Sequence, residues 1–274
     1  MDSSDPGVRL EATDLRFAYA ERPVLDGIEL RVSPGEVVGL VGPNGSGKST
    51  LIRVLSGVLD SYAGSVRIGD RELRDLSRTE LARRIAVVPQ EPSFGFSFTA
   101  LEIVLMGRHP HLAGLAFESG RDVALAREAL ERCGAAELAA RPIQELSSGE
   151  RQRVVFAKAL AQQPGALLLD EPASFLDIRH KVELYETVRD HAHARGGSVL
   201  TALHDLNLAA EYCDRVYLLR DGRVAAAGET ADVFTYANLT RVFETEIYVD
   251  TNALTGRLIV APLSRRAREK LEGQ

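Results

Sequence analysis

No stretch of this sequence nears the ~20 consecutive apolar residues that cross a bilayer, so a spanning segment is excluded. The start, Met1 to Val8, is acidic and carries proline and glycine rather than a basic patch followed by an apolar core. A secretory signal is therefore not expected. Cysteine occurs only twice, at Cys133 and Cys213, without metal-type spacing and on apolar faces of helical patterns. That favours core residues over redox or metal chemistry, and the expected compartment is the cytoplasm. Basic residues are not in excess either: the formal net charge is −6, which leaves no electrostatic footprint for DNA or RNA. The one basic cluster, Arg265, Arg266, Arg268 and Lys270, belongs to a polar tail expected to be solvated and frayed. Internal repeats and low-complexity runs are absent.

With 274 residues, 45% of them hydrophobic, the chain can bury a full core as one large domain or a core with lobes. Gly42, Pro43, Asn44, Gly45, Ser46, Gly47, Lys48, Ser49 and Thr50 spell G-P-N-G-S-G-K-S-T, a complete G-x-x-x-x-G-K-S phosphate-binding loop. The run Val37 to Val41 before it has the β-branched character of a buried strand, and Leu51 to Leu55 after it has helical spacing. That strand, loop, helix order is the context the motif requires. The glycines let the backbone curl until successive N–H groups point inward, and the helix start adds its positive dipole end, which suits a polyanionic phosphate. Lys48 is placed to reach the outer phosphates, and Ser49 supplies a hydroxyl for magnesium.

Elsewhere the texture divides the chain. Alternation at Val8, Leu10, Ala12 and at Ile28, Leu30, Val32 predicts antiparallel strands ahead of the loop, with another at Gly64 to Ile68. Ser77-x-x-Glu80 opens a short helix that ends before a strand at Ile85 to Val88. From Thr99 the pattern is helical: Thr99-x-x-Glu102 caps a helix over Leu101 to Arg108, and Arg121 to Cys133 repeats apolar residues at helical spacing. Strands return at Ala166 to Leu169 and Ser198 to Ala202, alternating with helices as in a parallel sheet covered on both faces. Arg215 to Ala227 reads as a hairpin around Asp221-Gly222, and beyond Thr230 lies a small mixed segment whose packing is not legible.

Two stretches carry further chemistry. The apolar run from Ala166 delivers Asp170 and Glu171 at the carboxyl end of a strand, where open α/β sheets place ligands. Asp170 is the candidate partner of Ser49 for magnesium. Glu171, on the other side of the pleat, is the candidate base for an attacking water, its alternative being a surface acid after a strand. Leu146-Ser147-Ser148-Gly149-Glu150 contains a capping box, Ser147-x-x-Glu150, and at its simplest is a well-started helix running to Leu160. Small residues there also leave amide N–H groups open to an anion, with the Ser147 hydroxyl free to donate.

The phosphate loop, Gln90, L-S-S-G-E, the A-L-L-L-D-E run, Ser174-Phe175-Leu176-Asp177 and His204 stand in the order found in ATP-binding cassette (ABC) ATPases. The chain resembles that family over nearly its whole length. The resemblance implies an α/β fold, a P-loop NTPase core with a mixed sheet, an N-terminal antiparallel β subdomain and an inserted helical subdomain at about 99–163. The domain spans 8–262, with a polar tail over 263–274. It further implies ATP hydrolysis with magnesium held by Ser49, Gln90 and Asp170. Two copies form a head-to-tail dimer in which Ser147 and Gly149, within the signature Leu146 to Glu150, contact the γ-phosphate held by the other copy. Gln90 senses that phosphate, His204 supports it, and Asp177 crosses the dimer interface. Without the other motifs His204 reads as a satisfied strand-end histidine. Tyr19 matches the aromatic that stacks on adenine, a contact worth ~1–3 kcal/mol, its alternative being a strand residue facing the core. Two positions depart from the common L-S-G-G-Q signature, Ser148 and Glu150, and the second brings negative charge near ATP unless it folds back onto its capping role.

Met106 to His111, Glu171 to His180 and Gly256 to Pro262 resemble the ATPase subunits of bacterial importers for iron-siderophore, haem and cobalamin. The resemblance implies two copies beneath two membrane permease subunits, fed indirectly by an external substrate-binding protein, peripheral on the cytoplasmic face of the inner membrane, with no nucleic-acid partner. Phe94, Phe96 and Phe98 suit either the groove that receives a cytoplasmic helix of the permease or the core of the helical lobe. The alternative, an ABC ATPase acting on nucleic acid or the ribosome, typically carries a second cassette or a long coiled-coil insertion, and this sequence has neither. Which chelate is carried is not legible, because this chain never touches it.

Overall fold

Residues 7–92, 94–112 and 117–264 are described by a computed structural model. The basic cluster from Arg265 to Lys270 and most of the 263–274 tail lie outside them. Apolar alternation builds the first sheet. β1 (Leu10–Tyr19) and β2 (Arg22–Val32) pair antiparallel, Leu10 opposite Val32 and Ala12 opposite Leu30. β3 (Val37–Val41) leaves for a second sheet, while β4 (Ala63–Ile68) and β5 (Arg71–Glu72) return to the first, in the order β2-β1-β4-β5.

The second sheet adds β6 (Ile85–Val88), β7 (Ala166–Asp170), β8 (Ser198–Leu203), β9 (Arg215–Arg220) and β10 (Arg223–Glu229), in the order β10-β9-β3-β8-β7-β6. All its neighbours are parallel except the β9–β10 hairpin, so the sheet is mixed. Every residue of β3, β7 and β8 is buried, because both faces are covered. The period of two sends Val38, Leu40, Leu168 and Leu200 toward a core shared with the antiparallel sheet, and Val37, Val41, Leu167 and Leu169 into a larger core with the helices.

The helices are α1 (Lys48–Leu55), α2 (Arg78–Arg84), α3 (Ala100–Leu105), α4 (Gly120–Arg132), α5 (Ser148–Ala161), α6 (Ile178–Arg189), α7 (Leu206–Tyr212), α8 (Thr230–Val233) and α9 (Tyr236–Phe243). Helices α3 to α5 pack on one another as a helical lobe between β6 and β7. Capping boxes start α2, α3, α4 and α5, at Ser77/Glu80, Thr99/Glu102, Ser119/Asp122 and Ser147/Glu150, each cap typically worth about 1 kcal/mol. The expected helix to Arg108 is shorter than its pattern: α3 stops at Leu105 and Met106–His111 tightens into a 3₁₀ turn containing Pro110.

That turn locks the lobe. A Cβ on Gly107 would lie 2.3 Å from the Lys158 carbonyl of α5, so only glycine allows the approach. Arg108, buried, donates to Asp122 Oδ1 (3.0 Å), the Ala161 carbonyl (2.7 Å) and Gln163 Oε1 (3.1 Å), tying α4 to the end of α5. Removing one partner of a buried pair of this kind costs ~3–5 kcal/mol. Phe94 and Phe98 pack against the larger core, as one of the two expected roles requires, whereas Phe96 stays exposed. Cys133 and Cys213 are free and buried. The C-terminal hairpin, β11 (Ile247–Thr251) with β12 (Leu258–Pro262), docks on α7 through Asn207, which donates to the Val260 carbonyl and accepts from the Val260 N–H. Among the described residues no helix is long and apolar enough to cross a membrane.

Candidate functional site

The loop from Gly42 to Gly47 turns the chain out of β3 and into α1. Its sharpest point is Gly47, at φ 105°, where a Cβ would also meet Leu25 Cδ2 at 2.8 Å. A second close approach is at Gly42, where a Cβ would sit 2.1 Å from the Leu219 carbonyl of β9. Lys48 is buried, and its Nζ donates to the carbonyls of Gly42 (2.9 Å) and Pro43 (3.2 Å), curled back over its own loop. Burial holds its pKa down, opposed by the nearby carboxylates of Glu171 and Asp170. The Ser46 hydroxyl is buried without a hydrogen-bond partner inside the same loop. An orphaned hydroxyl and an ammonium satisfied only by loop carbonyls are donors in want of an anionic acceptor.

Asp170 closes one side. Ser49 Oγ donates to Asp170 Oδ1 at 2.9 Å, joining the first turn of α1 to the end of β7. Burial pushes the Asp170 carboxyl above its usual range, more than the Ser49 bond lowers it. One hydroxyl and one carboxylate side by side fit magnesium, which keeps several waters and takes one or two protein oxygens plus phosphate.

Glu171 is next, buried, and its backbone is left-handed at φ 50°. A non-glycine residue there is strained, and strain of this kind clusters at functional sites. Its N–H donates to the Ala202 carbonyl of β8, fixing the turn. Oε2 accepts from Gln90 Nε2 at 2.7 Å and from Ser174 Oγ at 3.4 Å, while Oε1 meets His204 Nε2. Gln90 and His204, from two other segments, thus converge on the Glu171 carboxylate beside the phosphate loop.

Tyr19, at the end of β1, is not core-facing: it is 42% exposed and stands edge-on to Phe17 with its hydroxyl accepting from Arg53. It lines a depression together with Gly45, Gly47, Lys48, Ser49 and Thr50. Its ring is therefore available beside the phosphate loop. Pro43 is half-buried and Asn44 exposed at the loop's rim.

The signature segment is elsewhere. Leu146 is buried, Ser147 caps α5, and Ser148 and Gly149 form its first turn, with Gly149 close under the Phe175 carbonyl. The Ser147 hydroxyl is not free, contrary to expectation. It donates to Glu150 Oε2 at 2.8 Å, so Glu150 does fold back onto its capping role. Glu150 also receives Arg141, a partner that no local pattern announces because it reaches across a 3₁₀ turn. The hydrogen bonds of this segment run within itself and to Arg141, Ile143 and Arg151, not to the phosphate loop of the same chain. Asp177 caps α6, accepting from the His180 N–H and imidazole, with its side chain largely exposed.

The sequence profile of the family described as ABC transporter matches residues 25–174. The chain is 42% identical over 257 residues to the cobalamin import ATP-binding protein BtuD of Halobacterium salinarum, covering 94% of this chain but 64% of that relative's length. It is 45% identical over 258 residues to the hemin import ATP-binding protein HmuV of Streptomyces coelicolor, covering 94% of this chain and 91% of the relative. Among solved structures, a metal-chelate type ABC transporter in an inward-facing conformation superposes with a TM-score of 0.82 at 27% identity, over 95% of this chain and 99% of that one. A dimeric bacterial ABC transporter cassette superposes with a TM-score of 0.74 at 27% identity, over 81% of this chain and 98% of that one.

Proposed function

The chain belongs to the ABC transporter ATP-binding family, and from that premise we propose that it is the ATP-hydrolysing subunit of an importer for a metal chelate, of the iron-siderophore, haem or cobalamin class. The observation that carries the hydrolytic reading is the convergence of Gln90 and His204 on Glu171, one residue beyond the Ser49–Asp170 pair.

In this reading Gly42 to Thr50 hold the phosphates through backbone N–H groups, the Ser46 hydroxyl and Lys48, and Tyr19 stacks on the base. Ser49 and Asp170, joined by Gln90, hold magnesium. Magnesium held there would supply positive charge against the phosphates. Glu171 accepts a proton from the attacking water, a role its buried, strained placement supports by leaving the carboxylate little freedom to turn away. His204 steadies the outer phosphate and orients Glu171. Leu146, Ser147, Ser148, Gly149 and Glu150 present the start of α5 to the nucleotide of a second copy, and Asp177 lies at the interface between copies.

Two copies would sit beneath two membrane permease subunits at the cytoplasmic face of the inner membrane, with a substrate-binding protein acting from outside. The relatives that import cobalamin and hemin, and the metal-chelate type neighbour, support this choice of cargo class. The test is to copurify the chain with its permease in lipid and measure ATP turnover with binding proteins loaded with ferric siderophore, haem or cobalamin. Stimulation by one loaded protein is expected. Turnover indifferent to all three contradicts the cargo assignment.

A further inference from the structure

In the shared-site reading above, on which this inference rests, Ser147 donates to a phosphate held by the other copy. In the free chain its single hydroxyl donor is already engaged. Ser147 Oγ and Ser147 N both donate to Glu150 Oε2, each at 2.8 Å, and Oγ accepts from the Glu150 N–H at 3.3 Å. Oε1 of the same carboxylate accepts from Arg141 Nη1 at 2.9 Å. Arg141 Nη2 donates to the Glu145 carbonyl at 3.2 Å, and the Arg141 carbonyl accepts from Ala100 N–H of α3 at 2.9 Å. The guanidinium is therefore fixed between the turn ahead of α5 and the carboxylate on its first turn. The Ser147 bonds, then Arg141, keep the Glu150 carboxyl below its ordinary range, so it is a full negative charge at neutral pH.

A negative charge on the first turn suits the helix dipole of an isolated chain. It opposes a second anion at the same helix start, because like charges this close lie well within the ~8 Å screening length. When the Ser147 hydroxyl rotates toward a phosphate, Oε2 keeps only the Ser147 N–H. The remaining compensation comes from Arg141 on Oε1. We propose that Arg141 is a positioning residue for phosphate engagement: it neutralises Glu150 and holds it by Oε1, so that the Ser147 hydroxyl can exchange the carboxylate for a phosphate oxygen. Arg141 itself touches no nucleotide. The Arg141 and Glu150 side chains are 44% and 25% exposed, and ion pairs this open add little to fold stability, so a purely structural role leaves only a small effect to be found.

The test is a double-mutant cycle on steady-state ATP turnover, with Arg141→Met, Arg141→Lys and Glu150→Gln in the full chain, each checked by its thermal unfolding midpoint. Glutamine preserves the capping box without the charge, methionine preserves the apolar stem of the arginine, and lysine preserves its charge. Arg141→Met should lower kcat/KM by roughly tenfold or more, mostly through KM, when Glu150 is present, and by less than about threefold in the Glu150→Gln background. Arg141→Lys should recover most of the loss, and raising the salt concentration should shrink the Arg141→Met defect by screening. Equal losses in both backgrounds, or a lysine variant as poor as the methionine one, overturn the proposal and leave Arg141 a support for the loop. Wild-type protein that neither turns over nor associates with ATP would instead overturn the shared-site reading itself.

Discussion

Ser49 Oγ and Asp170 Oδ1 lie 2.9 Å apart although 121 residues separate them in the chain. The bond brings a phosphate-loop hydroxyl and a strand-end carboxylate to one point, and it comes at a cost. Burial raises the Asp170 pKa, so the folded chain holds that proton more tightly than the unfolded chain does. Ionised Asp170 therefore destabilises the free protein above its raised pKa, and the penalty shrinks as pH falls below that value and is gone once pH is below the ordinary carboxylate range.

Asp170→Asn is accordingly expected to raise the Tm of the nucleotide-free protein at pH 7, by ~2–4 °C for each kcal/mol relieved. The gain over wild type should shrink as pH is lowered toward the ordinary carboxylate range, while magnesium-dependent ATP binding weakens by at least roughly tenfold. Calorimetry across pH, with and without magnesium-ATP, checks both halves. A variant less stable than wild type at every pH contradicts the burial argument.

Glu171→Gln should retain magnesium-ATP with an affinity within about threefold of wild type and lose ~10²–10⁴ in turnover, the usual contribution of a positioned base. Equilibrium binding and single-turnover hydrolysis separate the two quantities. Wild-type-like single-turnover rates would remove Glu171 from the proton transfer.

Tyr19→Ala should weaken ATP binding by ~1–3 kcal/mol, as for loss of one stacked base, yet leave competition by inorganic triphosphate unchanged. Equal loss of both ligands would mean that Tyr19 supports the loop, through its bond with Arg53, rather than the base.

What the sequence disclosed follows from how local each signal is. The strand, loop, helix context of Gly42 to Thr50 and the capping boxes at Ser77, Thr99 and Ser147 are patterns over a few residues, and all lie where those patterns put them, while the box at Ser119 adds a fourth that the sequence reading does not name. The mixed α/β sheet was legible from apolar runs and their period. The left-handed backbone of Glu171 was not, because it arises where β7 turns against β8 rather than from the residue type. Arg141 was equally invisible: its tie to Glu150 depends on the path of a 3₁₀ turn. The end of α3 was overestimated because apolar spacing continues through Met106 while the close approach of Gly107 to α5 and the presence of Pro110 tighten the helix. The hairpin at Ile247 to Pro262 is placed by Asn207, a long-range contact that a pattern cannot show.

The central claim is that one copy supplies Lys48 and the other Ser147 to each site. Lys48→Ala disables the phosphate loop and spares the signature, whereas Ser147→Arg blocks the signature and spares the loop, so each variant alone should be inactive. Mixed and exchanged, preferably with the permease present, they form dimers with one whole site and one doubly damaged site. Turnover should return to as much as about a quarter of the wild-type rate, since random pairing makes half of the dimers mixed and each mixed dimer keeps one of two sites. Neither turnover nor ATP-dependent association in a mixture whose labelled chains have demonstrably exchanged would contradict the shared site.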